Sequence, residues 1–195
     1  KGNVKETPSQ LFRRVASAMA KVEQRKSKEW EERFYKMMVN LEFVPNTPAL
    51  MNAGTKMGQL AACFVVDLQD SLESIFYALT AAGKIHQTGG GTGFDFSPLR
   101  PKGELVFSTG GTASGPVSFM TLFDQMTEVI KQGGKRRGAN MGILRVDHPD
   151  ILEFITKKAE SPEVLRNFNI SVAASDAFMR ALAHRQSLRQ ILTSS

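Results

Sequence analysis

"QLAACFVVDLQDSLESIFYALTAAGKIHQ", residues 59–87, reads as a strand followed by a helix. Ala61 to Asp67 is a short apolar run bounded by polar residues, the pattern of a compact buried strand. Asp70-Ser71-Leu72-Glu73 marks a helix start, and Leu72, Ile75, Phe76 and Leu79 give that helix one apolar face. Gly89 to Gly93, "GGGTG", breaks it. The alternation then continues. "FDFSPLRPKG" alternates like a strand and turns, and "FSTGGTASGP" is a flexible glycine, serine and threonine segment. Pro116 opens a helix through Val117, Met120, Phe123, Val129 and Ile130 that stops at Gly133-Gly134. Met141 to Val146 is a strand, a helix follows with Ile151, Leu152 and Ile155 facing inward, "NFNISVAAS" is another strand and "DAFMRALAH" another helix. Strands alternating with helices define an α/β fold.

The preceding stretch is helical. Thr7-Pro8-Ser9-Gln10 has the form of a capping box with proline at the first helical position, and Leu11, Phe12, Val15, Met19 and Val22 recur at helical spacing. A second helix runs from about Lys28, with Trp30, Phe34, Met37, Met38 and Leu41 as its stripe. Pro45 and Pro48 forbid regular helix in "FVPNTPALMNAG". The expected organisation is a helical region over 1–44 and an α/β region over 45–195.

Composition narrows the functional classes. The chain has 195 residues, 42% of them hydrophobic and 23% charged, which suits a folded core. No stretch approaches the roughly 20 apolar residues that span a bilayer, and "KGNVKETPSQLFRR" has no signal-peptide core. The single cysteine, Cys63, excludes an internal disulfide framework and fits a reducing cytoplasm. A net charge of +6 favours anionic partners, and nucleotides meet that as well as DNA does.

Three loops carry candidate chemistry. Gly89 to Gly93 permits close backbone approach and an amide nest for anions, or is simply a tight turn. It is neither a P-loop nor a dinucleotide fingerprint. Lys135, Arg136 and Arg137, flanked by glycines, form either a solvated charge run or an anion-reading loop. His148 has no second His or Cys at ligand spacing, so it reads as part of a helix cap, and no metal site is expected. Read on its own, Cys63 in an apolar strand is an inert core thiol.

Four long motifs, "FVPNTPALMNAGT", "LAACFVVDLQDSLESI", "GGGTGFDFSPLRPKG" and "QGGKRRGANMGILRVDHPDI", occur in this order. In wording and spacing they resemble the large catalytic subunit of ribonucleotide reductases, most closely the adenosylcobalamin-dependent class II enzymes. The resemblance runs from about Glu42 to Leu182. "HRQSLRQILTSS" does not resemble the expected continuation. The resemblance implies a helical lead-in followed by about the first half of a ten-stranded α/β barrel.

It also implies a chemistry. These enzymes replace the ribose 2′-hydroxyl with hydrogen through a thiyl radical, and a cysteine pair supplies two electrons. Cys63 matches the first member of that pair. Thr47 matches a position that helps hold the substrate phosphates. Ala62 lies where some relatives have serine, which leaves a backbone contact, and Gly91 matches a backbone neighbour of the ribose. Asp70 and Arg100 match the specificity-effector site for a deoxynucleoside triphosphate or ATP. Gln132, Lys135, Arg136 and Arg137 match the loop between that site and the substrate base, with Gln132 and Arg136 as the main readers.

The resemblance further implies a ribonucleotide substrate, a homodimer built from the helices starting at Ser71 and Pro116, and a thioredoxin-type reductant. Adenosylcobalamin, with its cobalt, would be the cofactor of the complete enzyme. Neither membrane nor direct nucleic-acid binding is expected. The radical cysteine and the second reducing cysteine would lie beyond residue 195, so this chain is expected to be inactive alone. A non-catalytic nucleotide-binding module that keeps the effector site is the alternative reading, and a nucleic-acid-binding protein lacks the aromatic stacking pattern it would need.

Overall fold

A computed structural model describes residues 4–106, 110–130, 138–160 and 163–184. The chain divides into two compact units, Lys1–Ala62 and Cys63–Ser195.

The first unit is helical. Helix α1 (Pro8–Ala20) starts with the full capping box: Gln10 N donates to Thr7 Oγ1 at 3.3 Å and Thr7 N donates to Gln10 Oε1 at 2.8 Å. It packs on α2 (Ser27–Val39) around Val15, Ala16, Met38 and Ala53. Arg13 bridges the two helices, its guanidinium 3.6 Å from the centroid of the Tyr35 ring and bonded to Glu32 at 2.8 Å. Two expectations fail at helix ends. Val22 lies beyond α1, and Leu41 lies beyond α2 in a left-handed conformation; both are exposed. The stretch expected to exclude helix forms a short one, α3 (Thr47–Asn52). Asn46 Oδ1 accepts from Ala49 N at 2.9 Å, and the proline falls in the first two positions, where its missing N–H costs no hydrogen bond.

The second unit is built on a four-stranded sheet in the order β1 (Cys63–Val65), β2 (Gly91–Asp95), β5 (Asn140–Arg145), β6 (Phe168–Ala173). All three ladders are parallel. Each therefore needs a crossover, supplied by α4 (Leu72–Gln87), α5 (Pro116–Val129) and α6 (Ile151–Glu160). Helix α7 (Asp176–Ala183) follows β6. Between β2 and α5 a small antiparallel hairpin pairs β3 (Leu105–Val106) with β4 (Gly111–Thr112), in a segment expected to be merely flexible. Gly110, at φ +69°, turns the chain into β4.

One face of the sheet is covered. Phe94, Gly142, Leu144 and Phe168 point to α4 and α5, where Phe123 of α5 lies 4.6 Å from Phe94 and 5.8 Å from Phe96 between ring centroids. Gly142 lets Met120 pack close: a Cβ there would come within 2.8 Å of Met120 Cε and 3.3 Å of Phe168 Cδ1 and make the methionine end shift. The opposite face carries Cys63, Gly91, Gly93 and Met141, because register partners in parallel strands point the same way.

Two sequence readings change here. The strand read over 61–67 is three residues long and not buried: it is an end strand of the sheet, and Val65 is 92% exposed. The glycine run is not only a turn, because its last three residues open β2. Gly90 must be glycine for packing, since a Cβ would lie 2.6 Å from Ile85 Cγ2 and 2.9 Å from Phe64 Cε2.

Phe123→Ala removes the ring that meets both Phe94 and Phe96 and should cost about 3–5 kcal/mol of stability. Denaturant unfolding followed by circular dichroism checks this; a loss below about 1 kcal/mol would show that the aromatic cluster does not hold the helix to the sheet.

Candidate functional site

The open face of the sheet is set by bare backbone. Cys63 and Gly91 are register partners, as are Val65 and Gly93. Two strand positions without side chains leave the peptide backbone bare beside the thiol. Cys63 is exposed, which overturns its reading as a core thiol. An accessible thiol can exchange with a disulfide or donate hydrogen; a buried one cannot. Asn169 and Ser171 of β6 share this face, as register partners of Met141 and Ile143, and both are exposed.

A second site lies at the other end of the strands, where β1 and β2 finish. Arg100 Nε donates to Asp70 Oδ2 at 2.7 Å, and its backbone N–H donates to Asp70 Oδ1 at 3.2 Å. The pair lines a cleft of about 480 Å³ with Ser71, Ser114, Gly115 and Phe119. That volume suits a small organic ligand. The α5 N-terminus opens at Gly115 with no side-chain cap, and no acidic residue sits in its first turn.

The turn bearing Arg100 is clamped by the residues that lead into α6. His148 Nε2 donates to Leu99 O at 2.9 Å, His148 Nδ1 accepts from Asp150 N at 3.1 Å, and Asp150 Oδ2 accepts from Lys102 N at 2.9 Å. His148 is therefore a buried structural residue at the start of α6. Nearby, bonding to Arg145 holds the Asp147 carboxyl below its ordinary range.

Thr47 begins α3 and Ala62 closes the first unit. Gln132, Lys135, Arg136 and Arg137 lie outside the described residues. Among the described residues, no three His, Cys, Asp or Glu groups come together to hold a metal ion, and no helix is long and apolar enough to cross a membrane.

One cluster escaped the sequence reading. His86, Thr92, Thr127 and Asn140 form a buried polar network joining α4, β2, α5 and β5. Its one signal was a histidine on the buried face of α4, in line with Ile75, Ala78 and Ala82.

An open-faced parallel sheet with an exposed thiol, and a separate cleft of about 480 Å³, define the α/β architecture of this chain. Residues 61–194 match the ribonucleotide reductase barrel domain and residues 1–58 match the ribonucleotide reductase all-alpha domain. The chain belongs to the ribonucleotide reductase family.

Among its relatives, the vitamin B12-dependent ribonucleoside-diphosphate reductase of Thermoplasma acidophilum is 62% identical over 150 residues, covering 77% of this chain and 20% of that protein. The enzyme of the same description from Mycobacterium tuberculosis (strain CDC 1551 / Oshkosh) is 55% identical over 168 residues, covering 86% of this chain and 24% of that protein. The fold matches the Actinobacillus ureae class Id ribonucleotide reductase alpha subunit with a TM-score of 0.81 at 23% identity, over 97% of this chain and 34% of that one. The chain thus spans between a fifth and a quarter of the length of these curated relatives.

Exposure of Cys63 has a direct check. The folded chain should react to completion with a maleimide in the absence of denaturant, giving one added mass. A thiol that reacts only after unfolding would contradict its place on the open face.

Proposed function

We propose that this chain is part of a ribonucleotide reductase, in which the open face of the sheet binds the substrate and Cys63 is one of two reducing thiols. The observation that carries this reading is the register pairing of Cys63 with Gly91, which sets a thiol beside bare backbone able to approach a ribose. The chemistry balances as follows: two thiols lose two hydrogens and close a disulfide, the ribose 2′-hydroxyl leaves as water, and a C–H bond forms at the 2′ carbon. Cys63 supplies one thiol, and the second comes from elsewhere in the protein. Thr47 and the backbone at Ala62 are assigned to the substrate side of the same reaction. A thioredoxin-type dithiol regenerates the pair.

The vitamin B12 dependence named for the two curated relatives extends, in this reading, to the whole protein of which this chain forms part. Cobalamin would supply the initiating radical.

The cleft at Asp70 and Arg100 is assigned to a deoxynucleoside triphosphate effector. The Asp70 carboxylate has about four acceptor sites and Arg100 occupies two, so a sugar hydroxyl can still bond to it. Phosphates are suited to the guanidinium and the uncapped α5 N-terminus. Gln132 and Arg136 are assigned to reading the substrate base, with Lys135 and Arg137 assisting. Exposed Leu72, Phe76 and Tyr77 on α4, with the groove between α4 and α5 at Leu79, Met126 and Ile130, are assigned to a homodimer contact.

Two measurements test this reading. The 195-residue chain, supplied with adenosylcobalamin, dithiol and ribonucleotide, should form no deoxyribonucleotide, because one cysteine cannot close an internal disulfide; steady turnover would overturn the account of Cys63. In calorimetry, Asp70→Ala should weaken deoxynucleoside triphosphate binding by about 1.5–3 kcal/mol, roughly tenfold or more, while Arg136→Ala changes it less. Equal affinity for wild type and Asp70→Ala would remove the cleft assignment.

A further inference from the structure

The buried network around His86 lies where three parts of the protein meet. His86 is 2% exposed and sits in the last turn of α4. Its Nδ1 is 3.0 Å from Gly90 O; a carbonyl oxygen only accepts, so Nδ1 donates. Its Nε2 lies 2.9 Å from Asn140 Oδ1 and 3.2 Å from Thr92 Oγ1. Thr92 Oγ1 donates to Asn140 Oδ1 at 2.7 Å, Asn140 Nδ2 donates to Thr127 Oγ1 at 2.8 Å, and Thr127 Oγ1 donates to Phe123 O at 2.7 Å. The chain is closed by backbone bonds, from Thr92 N to Ala139 O and from Asn140 N to Asn167 O.

These residues are not placed at random with respect to the two sites. Gly90 and Thr92 flank Gly91, the register partner of Cys63. Thr127, in α5, and Gly138 and Asn140 stand on either side of residues 131–137 in the sequence. Gly138 is pressed against the network: a Cβ there would lie 2.8 Å from Thr127 Cγ2 and 2.9 Å from His86 Nδ1.

The same two helices reach the cleft at their other ends. Leu72, Glu73 and Ile75 of α4 and Phe119 of α5 line it. At about 1.5 Å of rise per residue, the eight residues from Phe119 to Thr127 span roughly 12 Å and the eleven from Ile75 to His86 roughly 16 Å. Dense packing transmits strain, so α4 and α5 each give a continuous packed connection between the cleft and the network.

We propose that His86, Thr92, Thr127 and Asn140 are positioning residues that couple the cleft to the substrate face. They join the ends of α4 and α5 to the Gly90–Thr92 backbone beside Cys63 and to the start of β5. None of them touches substrate in this scheme. The network fixes the backbone next to the thiol relative to the ends of α4 and α5 and the start of β5. The inference rests on the base-reading assignment of Gln132 and Arg136 made above, and its test separates the two.

The experiment uses the full-length reductase that carries this segment. Thr127→Val removes one hydroxyl without changing side-chain size, and Thr127→Ser keeps the hydroxyl as the conservative rescue. His86→Gln and Gly138→Ala attack the same junction from its centre and its edge. For a purine and a pyrimidine ribonucleotide, kcat/KM is measured with and without a deoxynucleoside triphosphate, and effector affinity is measured by calorimetry.

The effector-driven change in substrate preference should fall about tenfold in Thr127→Val, mainly through KM, with effector affinity within about twofold of wild type. Thr127→Ser should restore the preference. An unchanged preference in folded Thr127→Val and His86→Gln overturns the proposal, as does a uniform rise in KM for both substrates with the preference intact. Arg136→Ala serves as the control. If it alone leaves substrate preference unaltered, the base-reading assignment fails; if it abolishes preference while the network variants do not, the coupling role fails.

Discussion

Phe123 of α5, set against Phe94 and Phe96, is the contact on which the second unit depends. It fixes α5 lengthwise against the sheet, because an aromatic ring wedged between two others leaves little freedom to slide. The two ends of the helix then fall where function needs them. Gly115 opens into the cleft, and Thr127 reaches the polar network beside β5. Gly142 permits this fit by leaving space for Met120 of the same helix.

The sheet keeps its tasks apart by face and by end. On its helical face His86, Thr92, Thr127 and Asn140 form one buried polar cluster, and Asp124 and Asn167 form another. Buried polar groups of this kind are costly when unpaired and specific when paired, so they fix one arrangement of the elements that bear them. The open face carries the thiol and exposed backbone. The cleft lies past the opposite strand ends, bounded by a hairpin that the clamp from Asp150 to Lys102 holds in place. Gly115 tolerates this clamp because it has no side chain: a Cβ would lie 2.7 Å from Asp150 Oδ2 and 2.8 Å from Lys102 Cβ.

Much of this was legible in the residues. The capping box at Thr7, the strand-to-helix switch after Cys63 and the helix opened by Pro116 all rest on local chemistry, and they stand where expected. The closeness of Asp70 and Arg100 was legible only through the family's motif order, since thirty residues separate them. What could not be read were properties of packing. Cys63 has an apolar neighbourhood in sequence but occupies an end strand on an uncovered face. Gly91 looks like turn material, yet β2 begins there because the parallel ladder to Cys63 needs it. Pro48 reads as a helix breaker until Asn46 caps the helix around it. His86 acquires meaning only from partners as distant as Asn140.

The strands of the main sheet lie in the order in which the chain runs, β1, β2, β5, β6. A sheet so arranged grows by accretion: each strand adds to the edge left by the one before, and none has to be inserted between two already paired. As the polypeptide leaves the ribosome, each of these three ladders completes with residues already made. The long-range closures that slow parallel sheets are thereby met one at a time, each through its own helix. Cys63, on the founding strand, is the part of the sheet longest without a partner during synthesis. Its thiol spends that interval in the open, within reach of any oxidant.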